Sequence, residues 1–572
     1  MSHRKCRLSS RRSWSVASGL LLLPLHLLAQ TAESAAQELL RQQERERVLR
    51  ERQEVAPDVR MPSPVIVTSE RLPEHEVPCF TIDRIALTGE DAARFDWALK
   101  AADPSADPAT GRCLGTAGIH AVMTRVQNAV IARGYVTTRV LAAPQDLKRG
   151  TLTLTVVPGR IRDIRFAEGT STRATTWSAV PARRGDLLNL RDIEQALENF
   201  KRVPTVDADI QIIPAEGDNA RPGESDLVIA WRQRSLPVRV SVSLDDAGSK
   251  ATGKYQGALT LSLDDVLTLH DLFYANVNHD VFNGNGKGTR GYTLHYSVPY
   301  GYWALGATVS GYSYRQTVAG LSQNYVYKGS SDNAEVRLSR LLHRDAARKT
   351  AAYVRGWARQ SSNAIDDTEI EVQRRRTGGW ELGLTHSEHF GASRLDATVA
   401  YRRGTGGFGS LAAPEEGFGE GTSRMKVITA DAQVMVPFPV GAQSARYTGS
   451  WRGQWNRTPL VPQDRFSIGN RYTVRGFDGE LTLIGERGWV WRNELGLLLG
   501  AGQELYVGAD LGRVDGSSTQ WLSGRHLAGA VAGLRGGTYG VYWDLFAGTP
   551  LSKPAGFQAA SFTTGFSLNW TY

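Results

Sequence analysis

Cysteine is nearly missing from this chain of 572 residues: there are 3, at positions 6, 79 and 113. Two isolated cysteines with His120 alone nearby cannot supply the four ligands of a structural zinc site. Long apolar runs are also scarce, and a mean hydropathy of -0.31 excludes a bundle of transmembrane helices. No large excess of one charge is present either. The 67 basic and 58 acidic residues leave a formal charge of +9, and Arg4, Lys5, Arg7, Arg11 and Arg12 supply five of those charges before the first acid, Glu33. The remaining +4 is too small and too dispersed to indicate a nucleic-acid partner. The length excludes a single small domain, leaving several domains or one large β architecture.

At the N-terminus, a basic stretch from Arg4 to Arg12 precedes the apolar run Leu20 to Ala29. These are the n-region and h-region of a secretory signal peptide, and the run is too short to span a bilayer. Residues 1–29 are expected to be removed, with cleavage after Ala32 or Ala35 as alternatives because Leu27 is larger than the residue preferred there. An uncleaved anchor is the competing reading. Export places Cys79 and Cys113 in an oxidising compartment, where such a pair is expected to form a disulfide.

Residues 33–54 are rich in helix formers and free of Gly and Pro, yet their apolar content is only Ala35, Ala36, Leu39, Leu40, Val48 and Leu49. A helix polar on nearly all sides bridges solvent, is partly disordered, or lodges in a wet cavity. Its length, about 33 Å at roughly 1.5 Å per residue, is close to a bilayer's thickness. Residues 56–78 carry Pro57, Pro62, Pro64, Pro73 and Pro78, which predicts an extended linker.

From Phe80 the pattern becomes FTIDRIALTG, then a helix with Ile119, Val122, Met123, Val126, Val130 and Ile131 that stops at Gly134, then YVTTRVLAAP and TLTLTVVPG. The order β-α-α-β-β repeats from Ile161. IRDIRFAEG is followed by a helical stretch near Ala174 to Ala179, a helix with Ile193, Ala196, Leu197 and Phe200, then DADIQIIP and DLVIAWRQR.

Beyond Pro237 lie 10 of the 14 Trp and 18 of the 19 Tyr, as expected where aromatic rings sit at membrane interfaces. Period-two alternation recurs throughout, as in Leu259, Leu261, Leu263 and in Tyr292, Leu294, Tyr296, Val298. Sixteen strands are predicted, starting near 236, 254, 270, 289, 303, 332, 348, 375, 392, 424, 445, 487, 503, 525, 538 and 559. Short connections (Tyr300 to Tyr302, His389 to Gly391, Ala501 to Gly502, Gly536 to Gly537) alternate with long ones (Gln316 to Ser331, Ser361 to Arg374, Thr405 to Thr422, Thr458 to Glu486). An outer-membrane barrel shows this asymmetry, whereas a soluble propeller lacks it. The last segment places Phe562, Phe566, Leu568, Trp570 and the terminal Tyr572 on one face.

The longest loop contains RYTVRGFDGE, with Val474, Arg475, Gly476 and Phe477. In the following ELYVGADLG, alternation places Leu505, Val507, Ala509 and Leu511 on one face and Glu504, Tyr506 and Asp510 on the other. With the apolar set toward lipid, Asp510 faces a wet lumen and suits an arginine folded in from a loop.

The polar helix, the Pro-rich linker, two units similar to POTRA domains, the sixteen strands, VRGF and GAD together resemble the two-partner secretion transporters (TpsB, type Vb, haemolysin secretion/activation proteins). The resemblance covers the mature chain and implies its organisation. It consists of a plug helix over 30–55, the linker over 56–78, periplasmic POTRA domains over 79–158 and 159–235, and a membrane barrel of 16 antiparallel strands over 236–572, with the sixth outer loop at 458–486. It further implies that Arg475 pairs with Asp510 to hold the loop as a lid, that Gly476 lets the tip turn and that Phe477 packs it. The C-terminal aromatic face resembles the signal read by the barrel-assembly machinery.

The function implied is an outer-membrane pore, in a Gram-negative bacterium, that recognises one large unfolded exoprotein in the periplasm and passes it to the cell surface. That cargo is a haemolysin, adhesin or contact-dependent toxin carrying an N-terminal secretion domain. The other partners implied are outer-membrane lipid and, during biogenesis, the assembly machinery and periplasmic chaperones. A factor inserting other proteins into the membrane is the alternative. No cofactor, metal or catalytic residue is expected. GNGKG at 284–288 lacks the P-loop's ending, His386 and His389 point to opposite faces of a strand, and the pair Asp264 and Asp265 alone makes no hydrolase.

Overall fold

The computed structural model describes residues 23–54, 57–61, 71–218, 220–282, 286–320 and 322–572. Most of the segment read as a signal peptide lies outside the described residues, as do Pro62, Pro64 and Gly284. Helix α1 (Leu23–Gln53) begins earlier than the 30–55 boundary. No Gly or Pro interrupts it after Pro24, which sits in the first turn where an N–H has no intrahelical acceptor to lose.

In the first α/β unit the FTIDRIALTG run divides into two strands. β1 (Phe80–Ile82) pairs antiparallel with β3 (Arg112–Leu114), and β2 (Arg84–Thr88) pairs parallel with β5 (Thr151–Val157), whose other edge takes β4 (Arg139–Leu141). The break falls at Asp83, where the N–H groups of Asp83 and Arg84 both donate to the Gly150 carbonyl. A short α2 (Leu99–Ala102) precedes α3 (Thr116–Ala132), which buries Val122, Val126 and Val130 in one cluster with Leu152, Leu154 and Val156. A disulfide joins Cys79 to Cys113 in β3. Glu76 at the linker's end accepts from the N–H groups of Gly115, Ala117 and Gly118, which places a carboxylate at the positive end of α3.

The second unit contains β6 (Arg160–Phe166), α4 (Leu190–Lys201), β7 (Val206–Pro214) and β8 (Glu224–Gln233), in the sheet order β6-β8-β7. Ile193, Ala196, Leu197 and Phe200 of α4 are buried in its core. The helix expected near Ala174 to Ala179 does not form, and that stretch is a series of turns. Its carbonyls are used elsewhere: Thr175 O accepts from His270 at 2.8 Å and Ser178 O from the Gly301 N–H at 2.8 Å, and both donors belong to barrel turns. A helical ladder would have consumed those acceptors.

The barrel opens with β9 (Val238–Asp245), β10 (Gln256–Asp264), β11 (Leu272–Asp280), β12 (Gly288–Tyr300), β13 (Trp303–Ala319), β14 (Asn324–Arg344) and β15 (Arg348–Ile365). The two-residue β16 (Thr368–Glu369) decorates the end of β15. Next come β17 (Arg375–Phe390), β18 (Ser393–Thr405), β19 (Lys426–Val440) and β20 (Gln443–Asn456). A small hairpin of β21 (Phe466–Ile468) and β22 (Leu483–Gly485) lies within the longest loop. The circuit ends with β23 (Arg487–Gly500), β24 (Gln503–Asp515), β25 (His526–Thr538), β26 (Val541–Ser552) and β27 (Thr563–Thr571). All pairings between the sixteen long strands are antiparallel, and β27 closes on β9 from Ser567↔Asp245 to Thr571↔Ser241.

Two expected loops are shorter than predicted. β13 runs to Ala319 and β14 starts at Asn324, so the Gln316 to Ser331 connection shrinks, and β15 likewise extends to Ile365. Both faces of these extensions carry polar residues, so the apolar alternation fades while the hydrogen-bonded ladder continues. The turn expected at Gly536 to Gly537 lies at Tyr539 and Gly540, which adopt φ of 48° and 78°. Gly536 instead makes room in β25 for the Trp543 ring, since a Cβ there would lie 3.0 Å from it.

Leu259, Leu261, Leu294, Leu384, Leu495, Val507 and Leu545 project outward and exposed, whereas Thr260, Ser262, Asn276, Ser310, Glu381, Glu504 and Asp510 are buried inside. An apolar belt around a polar lumen is the membrane-barrel arrangement.

Candidate functional site

The lumen holds α1. Arg50 of the helix pairs with Glu335 of β14 at 2.7 Å, Glu44 with Arg452 of β20 at 2.8 Å, and Gln53 accepts from Ser262 of β10 at 3.0 Å. Tyrosines grip it as well: Tyr312 donates to Glu38, and Tyr274 donates to Glu54 just past the helix at 3.1 Å. Of the three environments open to a helix polar on most sides, the wet cavity is the one found. Apart from Tyr506, which alternation places on the lumenal face with Asp510, the lumenal tyrosines were not foreseen, because the Tyr enrichment reads as an interfacial girdle. Tyr274, Tyr312, Tyr327 and Tyr506 are buried inward, while Tyr300, Trp491 and Trp570 face out.

The long loop folds into the same space. Arg475 donates to Asp510 through Nε at 2.7 Å, Nη2 at 2.9 Å and its backbone N–H at 2.9 Å. Glu494 of β23 is a second carboxylate on Arg475, and Arg535 joins Glu494 (2.7 Å) to Glu504 (3.0 Å). Sequence reasoning placed Glu504 on the lumenal face with Asp510 without assigning it a partner, and it missed Glu494 and Arg535. Their signal was inward register, since Glu494 pairs with Gly508 two positions from Asp510.

Glycines allow the close approach. A Cβ on Gly508 would lie 2.6 Å from Arg475 Nη2, one on Gly529 1.9 Å from the Arg475 carbonyl, and one on Gly548 2.8 Å from Gly476 Cα. Gly476 itself turns at φ 96°, with Val474 and Phe477 packed against Ile468, Leu483 and Val514.

At the C-terminus, Phe566, Leu568 and Trp570 share one face of β27, with Phe562 just before it. Tyr572 pairs beyond the strand end with Val240 of β9 (N···O 2.9 Å). Asp264 pairs with Arg239 at 3.0 Å and Asp265 accepts from the His270 N–H at 2.7 Å, so both belong to the joint between the second unit and the barrel. His386 meets Thr350, and His389 meets Asp58 of the linker at 3.1 Å. Among the described residues no group of three or more His, Cys, Asp or Glu is placed to hold a metal.

Comparison with known proteins agrees with this architecture. A ShlB-type POTRA domain model matches residues 80–159, a second POTRA domain model residues 160–214, and the model of the haemolysin secretion/activation protein ShlB/FhaC/HecB residues 223–536. The chain is 39% identical over 558 residues to the outer membrane transporter CdiB-2 of Burkholderia pseudomallei, covering 94% of this chain and 93% of that one. It is 24% identical over 408 residues to the hemolysin transporter protein ShlB of Serratia marcescens, covering 70% and 71% of the two chains. Among solved structures, CdiB from Acinetobacter baumannii superposes with a TM-score of 0.83 at 32% identity over 94% of this chain and 99% of that one. The barrel sits in the outer membrane with the POTRA domains in the periplasm, and it translocates an exoprotein. With the polar lumen, the two POTRA domains and these likenesses in place, the chain belongs to the ShlB/FhaC/HecB family of two-partner secretion transporters.

Proposed function

We propose that the loop carrying Arg475 is a lid on the translocation path and that α1 is the plug beneath it, so that export of the exoprotein requires both to move. The observation that carries this reading is the seating of Arg475. Its guanidinium is bound by two lumenal carboxylates on adjacent strands, and the side chain and backbone of Arg475 and the backbone of Gly476 lie on a wall cleared of side chains by three glycines. A lid needs a hold that is specific in place and reversible in outcome, and a charged cluster in a wet lumen supplies both. The plug is held by dispersed ion pairs rather than apolar packing, so water can replace its partners as it leaves.

The residues of the lumen serve binding and gating, not bond chemistry, and need no cofactor. Phe562, Phe566, Leu568, Trp570 and Tyr572 form the terminal face that the assembly machinery reads during biogenesis, after periplasmic chaperones deliver the chain. The test is quantitative mass spectrometry of medium, cell surface and outer membrane from a strain lacking this protein, complemented with the wild type or with Arg475→Ala. Loss of one large exoprotein, restored only by the wild type, is the expected result. A general fall in outer-membrane barrels would instead mean an assembly factor.

A further inference from the structure

At the periplasmic rim, linker residues 58–61 run between α4 and two barrel turns, and the groove binds their backbone. The Val59 N–H donates to Glu198 at 3.0 Å and the Met61 N–H to Glu194 at 3.0 Å, while the Val59 carbonyl accepts from Arg344. Glu194 and Glu198 are one helical turn apart, about 6 Å along the axis, and alternate N–H groups of an extended chain are about 6.6 Å apart. Two carboxylates on a helix face thus match the repeat of any extended chain.

The side chains that line the groove are buried and held in place. The Arg344 side chain is 4% exposed and that of Glu194 1%, and Arg344 Nε holds Glu194 at 2.9 Å. Val59 and Met61 pack against the second unit's core. Asp58 lies between Lys349 (3.2 Å) and His389 (3.1 Å), and Arg60 donates to the carbonyls of Ala346 and Ala347. A cavity lined by Glu54, Pro57, Glu198, Arg202 and His295 leads from the groove into the lumen.

We propose that this groove is a binding site for an extended, unfolded polypeptide segment, occupied at rest by linker residues 58–61 and during export by the exoprotein. The proposal rests on the transporter reading above. Because α4 and Arg344 bind backbone, the site tolerates many sequences. Its preference is an acidic residue followed by apolar residues at the next and third positions, as in Asp58, Val59 and Met61. A segment bound there stands at the lumen entrance, so displacing the linker and loading the cargo become one exchange.

The test uses the full-length protein in nanodiscs and a fluorescent peptide copying residues 54–64. In Val59→Asp/Met61→Asp the linker is driven out, and the peptide should bind this variant but not the wild type. A peptide with Asp at both apolar positions should bind at least about tenfold more weakly. Adding Glu198→Ala should remove the gain. A second variant with Gly and Ser across 57–61 covers the case in which the substituted linker stays seated. Failure of the peptide to bind either variant, with the barrel folded by heat-modifiable gel mobility, overturns the proposal. A photo-crosslinking residue at position 195 should trap exoprotein during export, and normal secretion without an adduct overturns the cargo half. Absence of any exoprotein from the wild-type strain would instead sink the transporter reading, leaving the peptide result to decide the groove.

Discussion

Arg41 of the plug helix donates from Nη2 to the carbonyl of Gly479 at 2.7 Å, while its Nη1 pairs with Glu38 at 2.6 Å. Gly479 lies four residues beyond Arg475 in the same loop, so plug and lid touch. Gln43 of the helix also donates to the Gln463 carbonyl of the loop at 3.4 Å, so helix and loop touch at two places in one lumen, and loosening either should loosen the other.

Breaking the lock from the arginine side leaves Asp510, whose side chain is 0% exposed, without its hydrogen-bonding cation. Arg475→Ala should cost up to about 3–5 kcal/mol in the seating of the loop, the usual penalty when a buried ion pair loses one partner, with Arg492 at 3.9 Å as the cation that remains near Asp510. The expected result is earlier proteolysis of residues 457–486 and a large loss of secretion. Adding Asp510→Asn should recover part of the protection but not the export. Equal protection of the loop in wild type and Arg475→Ala would contradict the lock.

The glycine wall can be tested without touching a charge. In Gly529→Val the new Cβ would fall 1.9 Å from the Arg475 carbonyl, a backbone atom that cannot step aside alone. The loop should unseat although Arg475 and Asp510 are intact, reproducing the Arg475→Ala protease pattern in an assembled barrel. A protected loop in this variant would show that the wall is not its seat.

The plug's ion pairs can be reversed as units. Glu44→Arg places two cations together opposite Arg452 and should raise the frequency of open-channel events in planar bilayers. Glu44→Arg with Arg452→Glu should bring it back toward the wild type. If the exchanged pair conducts as much as the single variant, the 2.8 Å contact does not hold the plug.

Asp107 supplies a pH dependence outside the membrane. The Leu72 N–H donates to it, and with Arg125 and Arg112 holds its carboxyl below the ordinary value despite some desolvation. A depressed folded pKa contributes stability above the unfolded value, about 3.9 for Asp, and that contribution disappears as pH falls through the folded value. The protection factor of the Leu72 amide, taken against the intrinsic exchange rate at each pH, should therefore be constant from neutrality to about pH 5 and fall below about pH 4. A fall in protection beginning at pH 6 would point to a histidine instead.

Strand number and the inward and outward faces of the barrel were legible because a lipid face and a wet face impose period two on each membrane-crossing segment, as in Leu505, Val507, Ala509 and Leu511. Where β13 and β14 rise past the lipid that constraint ends, and so did the sequence signal. The helix expected at Ala174 to Ala179 failed for a different reason. Local propensity says nothing of the two barrel turns whose His270 and Gly301 take up its carbonyls. Arg475 and Asp510 could be paired from motif and face, whereas Glu494 and Arg535 could not, since their role depends on which strands stand side by side.

By itself, the amino-acid sequence determined the succession of polar helix, Pro-rich linker, two α/β units and alternating strands, because each rests on periodicity and composition within a few residues. Only the tertiary structure decided what the polar helix and the linker bind. Closing β27 on β9 creates the lumen, and that enclosure brings Glu44 to Arg452 and Arg41 to Gly479 across 400 residues or more of chain. Contacts over such separations leave no local pattern to read, since their partners are chosen by the geometry of a closed sheet.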